Sequence, residues 1–223
     1  VMVLYHNQIN FIPPEIGEMT KLRVLSFSFS EFFQLPDEIT NLQELRELNI
    51  LNDLYLDVTD TFEKLSKLKN LTKLELYNIN ISRIPPSIGQ LTNLQVLKLG
   101  SNKLTELHSA FSNLINLRVL DLSNNVFLTL PAVVKELTNL KEIYLNYNQF
   151  SQFPEDLIKL NNLEILQMNF NELVYIPGDI FLLKNLKVLS FSFNKLSFLP
   201  DEISILSNLR KLDLSNNSFS DTE

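Results

Sequence analysis

The side chains best suited to chemistry are two histidines and a set of acidic pairs that directly follow prolines. His6 and His108 lie in distant parts of the chain, so they are not expected to share one site. The acidic pairs are Asp37-Glu38, Glu155-Asp156 and Asp201-Glu202. Carboxylates after a proline suit the first turn of a helix, where the helix dipole stabilises negative charge. We therefore expect no catalytic residues.

The composition also argues against cofactor and metal sites. The chain has no cysteine, which excludes disulfides, thiolate zinc sites, iron–sulfur clusters and a cysteine nucleophile. It has only four glycines, and none lies in a glycine-rich phosphate loop. The sequence therefore predicts no cofactor and no metal site.

The charge and hydropathy limit the class of partner. The 223 residues include 45% apolar residues, which excludes a wholly disordered chain, and the net charge is −7. An acidic chain has no general electrostatic attraction to nucleic acid or to anionic lipid. No apolar run approaches the roughly 18 residues that a membrane-spanning helix needs. We expect a soluble protein without membrane insertion, and no nucleic-acid partner.

A repeat dominates the sequence. The stretch Leu94-x-x-Leu97-x-Leu99-x-x-Asn102-x-Leu104 recurs every 23 residues. The asparagine of this stretch is found at Asn7, Asn102, Asn125, Asn148, Asn171, Asn194 and Asn217. Three repeats carry another residue there, namely Ser30, Asp53 and Ile79. Ten repeats therefore cover nearly the whole chain, the first and last of them incomplete.

Each repeat combines two periods. Leu97-x-Leu99 has the period of two that indicates a short strand. After the asparagine, apolar residues such as Ile203, Leu206 and Leu209 are spaced by three, which indicates a short helix or 3₁₀ turn. One such unit cannot cover its own apolar face, whereas stacked units bury a continuous core.

This pattern resembles the leucine-rich repeat family, and the likeness extends from about Met2 to Phe219. The 23-residue form with a Leu-Pro-x-x-Ile return is similar to bacterial and Ras-suppressor-like intracellular members. The resemblance implies an α/β solenoid, or horseshoe, in which a parallel sheet lines the concave side and short helices or 3₁₀ turns form the convex side. It also implies that the repeated asparagines bond the backbone between repeats. We expect residues 1–223 to form a single domain.

The 23-residue repeat is irregular in the first half of the chain. Serine or aspartate can replace part of the asparagine bonding and Ile79 cannot, so the ladder should be weakest in repeats two to four. Three extra residues lengthen the repeat at about 45–70. Asp60-Thr61-Phe62-Glu63 resembles a capping box, which predicts that the insertion lengthens the convex helix and that Asp60 caps it.

The residue directly before the repeated asparagine is the most informative surface position. It is aromatic at Tyr147, Phe170 and Phe193 in three successive repeats. Exposed aromatic clusters often mark protein contacts. The alternative is that the rings pack on one another and only stabilise the fold. The predicted contact surface comprises Tyr144, Tyr147, Ile165, Phe170, Val188 and Phe193, and a second patch comprises Tyr5, Phe29, Leu51 and Tyr77.

Charged residues also share a column on the predicted sheet face. Glu75, Lys98 and Asp121 occupy one position in three successive strands. Neighbouring strands lie about 4.8 Å apart, so these side chains are expected to form an alternating ladder of charges. We interpret it as charge compensation between strands, with a ligand contact as the alternative.

These observations predict a non-enzymatic scaffold that binds a protein partner through its concave face. The resemblance to bacterial repeat proteins implies a host-interaction or envelope role. One alternative is an intracellular regulator that scaffolds a small GTPase or phosphatase, and another is the substrate-recognition part of a truncated effector enzyme. A second copy bound through uncapped ends is a further possible partner. The chain begins at Val1, so an export signal upstream stays open and the compartment is not predicted.

Overall fold

The computed structural model describes residues 1–7, 9–29 and 31–220. Across them, ten parallel strands form one sheet whose order follows the sequence. Each strand pairs with the next in register, so Leu97, Leu120, Ile143 and Leu166 lie side by side. The predicted α/β repeat solenoid is therefore confirmed. The strands are β1 Met2–Tyr5, β2 Val24–Ser28, β3 Glu47–Leu51, β4 Lys73–Tyr77, β5 Val96–Lys98, β6 Val119–Asp121, β7 Glu142–Tyr144, β8 Ile165–Gln167, β9 Val188–Ser190 and β10 Lys211–Asp213.

Short 3₁₀ helices form most of the return segments. All but one are preceded by a proline, whose extended backbone and fixed φ set the direction of the first turn. His108 takes the proline position in the remaining one, and its Nδ1 accepts a hydrogen bond from the Ala110 N–H at 3.0 Å. The 3₁₀ helices are Pro14–Glu18, Asp37–Asn41, Pro86–Gln90, Ser109–Asn113, Ala132–Glu136, Glu155–Lys159, Gly178–Leu182 and Asp201–Ile205.

One α-helix, α1 (Val58–Leu65), lies in the lengthened repeat and has eight residues, where the 3₁₀ helices have five. The prediction that Asp60 caps this helix is wrong. Asp57 is the N-cap, and its carboxylate accepts hydrogen bonds from the N–H groups of Thr59 and Asp60 at 2.9 and 3.1 Å. Asp60 lies within the first turn and pairs with Lys64 at 2.9 Å.

The core is a continuous row of leucines, isoleucines and phenylalanines between the sheet and the return segments. In the fifth repeat, Leu97, Leu99 and Leu104 are fully buried. At the first repeat, Met2 and Leu4 are only partly buried and line an open apolar cavity of about 560 Å³. None of the helices in the described residues is long and apolar enough to span a lipid bilayer.

Candidate functional site

The repeated asparagines join the backbones of successive repeats. Asn148 Nδ2 donates to the carbonyls of Leu122, Leu145 and Asn146 at 3.0, 3.2 and 3.2 Å. Its Oδ1 accepts from the Phe127 N–H at 3.1 Å. One buried carboxamide therefore serves two repeats. The same bonding recurs at Asn102, Asn125, Asn171, Asn194 and Asn217.

The first repeats depart from this ladder. Asn7 is exposed and donates to the Tyr5 carbonyl at 2.9 Å, within its own turn. Ser30 lies outside the described residues. Ile79 packs into the core, and its N–H donates to Asn102 Oδ1 at 3.1 Å. Asn102 of the next repeat therefore bonds the backbone N–H of Ile79, whose own side chain cannot form hydrogen bonds.

Asp53 replaces the asparagine in the third repeat and is fully buried. Its Oδ1 accepts from the Tyr55 N–H at 3.2 Å, and Oδ2 has no hydrogen-bond partner among the described residues. Burial raises the pKa of this carboxyl to about 6, although the Tyr55 and Phe32 amides act in the opposite direction. Nearby Glu31 adds to the rise because its charge has the same sign.

The residue before each ladder position has a left-handed backbone, with φ between 52° and 57° in all ten repeats. This conformation suits asparagine and costs a larger side chain roughly 1–2 kcal/mol. Four repeats contain asparagine there and one contains serine. The remaining five contain the rings of His6, Phe29, Tyr147, Phe170 and Phe193.

Tyr147, Phe170 and Phe193 form a continuous stack of parallel rings, called here the ring stack. The ring centroids are 4.2 Å apart for Tyr147 and Phe170, and 4.1 Å for Phe170 and Phe193, with interplanar angles of 8° and 10°. The three residues are still 52%, 37% and 44% exposed. The rings thus pack on one another and also present their edges to solvent, which combines the two alternatives raised by the sequence.

Replacing Phe170 by asparagine should change the free energy of unfolding by less than about 1 kcal/mol. Relief of the left-handed backbone offsets the loss of two stacking contacts, each worth about 0.5–1.5 kcal/mol. Phe170→Ala should be less stable than Phe170→Asn, because alanine loses the stacking and keeps the backbone cost. Urea denaturation of both variants measures this. A less stable asparagine variant would show that the rings mainly hold the fold together.

The other predicted contact residues lie away from the ring stack. Ile165 and Val188 are neighbours in register at the beginning of β8 and β9, and both are half-buried. Between them and the rings lies a polar strip in which Asn169 Oδ1 accepts from the Ser190 hydroxyl and from the Ser192 N–H, at 2.7 and 2.8 Å. The expected single apolar ridge is therefore divided by polar side chains.

Tyr144 lies on the sheet face at the end of β7. Its hydroxyl donates to Glu142 Oε2 at 2.8 Å. Burial and the Glu142 carboxylate both raise the pKa of Tyr144. The phenol is therefore held neutral as a hydrogen-bonding group on the polar part of the face.

Two family models match the chain. A model described as a leucine-rich repeat region matches residues 59–175, just over half of the chain. A second, described as a leucine rich repeat, matches residues 161–219. The chain belongs to the leucine-rich repeat family. No curated protein sequence matches it significantly.

Solved leucine-rich repeat structures are similar along most of the chain. One is a protein of Leptospira interrogans, with 33% identity and a TM-score of 0.83 over 96% of this chain and 60% of that one. Another is the ectodomain of the Arabidopsis thaliana receptor kinase GASSHO1/SCHENGEN3, with 33% identity and a TM-score of 0.77 over 94% of this chain and 26% of that one. An internalin of Listeria monocytogenes shares the fold at 22% identity, with a TM-score of 0.69 over 94% and 65% of the two chains. The chain thus spans less than two thirds of each of these proteins.

The second predicted patch of this leucine-rich repeat chain is a row along the first strands. Tyr5 and Leu51 lie on either side of Ser28 in the register, and Tyr77 follows Leu51. The Tyr77 ring lies over Gly100, where a Cβ atom would be 3.3 Å from the ring. Tyr5 and Tyr77 remain 46% and 41% exposed. The row is therefore interrupted by a buried serine.

Phe29, the fourth member of that patch, stacks on His6 instead, with centroids 4.5 Å apart. His6 was considered only as a catalytic candidate, and this ring pair was not predicted. The signal was present, because His6 directly precedes Asn7 as Phe29 directly precedes Ser30.

The predicted charge ladder is partly formed. Lys98 pairs with Glu75 at 3.6 Å. Asp121 Oδ1 instead accepts from the Ser123 N–H at 2.9 Å. The partly exposed Lys98–Glu75 pair contributes under about 1 kcal/mol to the free energy of unfolding, and Asp121 stabilises its own turn.

A second asparagine column was missed by the sequence reasoning. Each member directly precedes the first leucine of a strand motif and donates to a backbone carbonyl of the preceding repeat at 2.7–2.9 Å. The column is exposed, in contrast to the buried ladder. Its members are Asn70, Asn93, Asn116, Asn139, Asn162, Asn185 and Asn208.

The part of the chain that the structure describes contains no group of three or more histidines, aspartates or glutamates that could hold a metal ion. The two histidines have local contacts, His6 with Phe29 and His108 with its own 3₁₀ helix. What the surface offers is a rigid face with exposed ring edges and fixed polar groups, which suits binding.

Proposed function

We propose that this leucine-rich repeat chain is a non-enzymatic scaffold that binds a protein partner through the exposed face of its sheet. The ring stack is the anchor of this contact. The observation that supports the proposal is the placing of three exposed rings at left-handed positions, where asparagine fits the backbone better. A strained backbone conformation often marks a functional site, and so does a cluster of aromatic rings that stays exposed.

The two asparagine columns support the same role. Together they join repeats three to ten to one another, so this part of the face is held in one arrangement before a partner arrives. A preorganised surface avoids part of the entropy cost of association. The GASSHO1/SCHENGEN3 ectodomain was solved in complex with CASPARIAN STRIP INTEGRITY FACTOR 2, which shows that a similar solenoid binds such a ligand.

Replacing all three rings of the stack by asparagine should weaken partner binding about tenfold or more, since aromatic anchors carry much of an interface's energy. The fold should persist because asparagine suits these backbone positions. The matched control replaces three other exposed rings, Phe33→Asn, Tyr175→Asn and Phe198→Asn. Proteins captured by the wild-type chain are identified by mass spectrometry, purified and titrated against each variant.

The placing of the contact would be wrong if the ring-stack variant kept wild-type affinity, or if the control lost as much. Circular dichroism and the unfolding temperature of each variant establish that the loss is not one of folding.

A host-facing bacterial role is the finer function that we favour. The 33% identity to the Leptospira protein supports the bacterial part of this role. The upstream reading frame tests it directly. An export signal would support this role, whereas a fused kinase or GTPase segment would favour an intracellular regulator.

A further inference from the structure

A second surface lies at the edge where the strands begin. The residue that follows the first leucine of the motif is charged in five successive repeats, and these backbones are hydrogen-bonded in sequence order. Adjacent strands are about 4.8 Å apart, so the row spans roughly 19 Å. We call it the basic edge, and it comprises Arg118, Lys141, Glu164, Lys187 and Arg210.

The basic edge opposes the overall charge of the molecule. With Lys184 and Lys211 beside it, six cations face only two carboxylates, Glu142 and Glu164, which gives +4 on a chain whose net charge is −7. Apart from Lys184, the return segments of repeats six to nine contain seven acids and three bases, which gives −4. Charge is therefore separated between two sides of the same repeats.

Glu164 neutralises only part of this edge. It accepts hydrogen bonds from both Lys141, at 2.8 Å, and Lys187. These two ammonium groups lower the pKa of Glu164 to about 2, so it stays ionised. Arg118 and Arg210, at the two ends, are exposed and have no carboxylate within 4.0 Å among the described residues.

The edge also has a shape that can hold a polar chain. Arg118 and Lys141 line a groove of about 340 Å³ together with Asn116, Asn139 and Asn162. Each of these asparagines uses an N–H to bond the backbone of the preceding repeat, which fixes its orientation. The groove thus presents cations and oriented carboxamides, which are the groups that carboxylates bind.

Apolar side chains adjoin the cations. Val119, Ile165 and Val188 each lie one residue along the strand and are half-buried. A nucleic acid would meet long-range repulsion from the net charge of −7 and would leave these apolar groups unused. An acidic polypeptide has a lower charge density and offers apolar side chains as well.

We propose that the basic edge binds an acidic segment of the protein partner, with carboxylates on Arg118, Arg210 and the lysines. Ile165 and Val188 contact apolar residues of the same segment. This inference rests on the proposed scaffold function and names the chemistry of its partner. The partner's acidic segment is drawn to this edge although the scaffold as a whole is acidic.

The test uses the full chain and fluorescein-labelled poly-L-glutamate of about 20 residues, in an anisotropy titration at low salt. Arg118→Glu with Arg210→Glu should weaken binding about tenfold, because a contact between unit charges in water is worth about a factor of five before screening. Lys67→Glu with Lys103→Glu makes the same change in net charge away from the edge and should leave binding nearly unchanged. Glu164→Gln should tighten binding about threefold, because it releases two lysines.

Equal weakening by the two double variants would reduce the effect to net charge and overturn the proposal. Tighter binding of a 20-nucleotide single-stranded DNA or of heparin would overturn the choice of a polypeptide. The ring-stack variant should keep its affinity for poly-L-glutamate. If poly-L-glutamate does not bind while the partner still depends on the ring stack, this inference fails and the proposed function stands.

Discussion

Asn148→Ala is expected to lower the free energy of unfolding by about 3–4 kcal/mol, a large part of the stability of a small domain. The change removes the carboxamide that serves the carbonyls of Leu122 and Leu145 and the N–H of Phe127. These groups lie inside the turn, and each one left without a partner costs about 1–3 kcal/mol. Water can partly enter the turn and bond some of these groups, so the expected loss of stability is smaller than the largest sum of the three costs.

The exposed asparagine column provides a matched control for this result. Asn139 donates a single hydrogen bond, to the Ile115 carbonyl at 2.7 Å, and is exposed. Asn139→Ala should therefore cost less than about 1 kcal/mol, because water replaces the lost donor. Urea denaturation at pH 7 compares the two variants with the wild-type chain. Similar losses for both would contradict the view that burial makes the inner ladder valuable.

The contrast between the two columns shows what the sequence could supply. A period of 23 residues predicts which side chains become neighbours, because stacked repeats convert sequence spacing into spatial contact. That reasoning placed the buried asparagines and the three aromatic residues in rows. The period does not show how deeply each row is buried. The exposed column that contains Asn139 was not predicted, although it has the same period.

Features that depend on backbone conformation or on packing between repeats were harder to predict. The start of α1 at Asp57 follows from a contact with the second repeat, where the Asp57 N–H donates to the Phe33 carbonyl at 2.7 Å. The local motif at Asp60 gave no sign of that contact. Likewise, the left-handed backbone at Phe170 is a property of the turn, and an aromatic residue at this position does not predict it.

The residues of the candidate surface were predicted from the sequence, but its division into two parts by polar side chains was not. Ile165 begins β8, whereas Phe170 lies in the turn after that strand, and the polar Asn169 network lies between them. The basic edge was hidden for a different reason. The net charge is a sum over the whole chain. The positive charge of the basic edge and the negative charge of the return segments offset each other in that sum, although the fold places them on different sides.

Asp53→Asn is expected to stabilise the protein by about 2 kcal/mol at pH 7.5 and by much less at pH 4.5. Burial raises the pKa of Asp53 from its ordinary value of 3.8 to about 6. The folded chain therefore holds the Asp53 proton more tightly than the unfolded chain does. The stability that depends on this group is present below about pH 4 and is lost as the pH rises through about 6.

Two pKa units correspond to about 2.7 kcal/mol, which is the upper limit of the effect. Asparagine is neutral at both pH values and has the donors that the other ladder positions use, so it should remove the loss. Asp57→Asn is the control, because it removes the same charge from an N-cap that asparagine serves equally well. Urea denaturation of the wild-type chain and the two variants at pH 4.5 and 7.5 separates the effect of the Asp53 charge from the effect of the new hydrogen bonds. An equal gain at both pH values would assign the effect to hydrogen bonding alone. A loss at pH 7.5 would show that the bonds from the Tyr55 and Phe32 amides favour the carboxylate more than burial disfavours it.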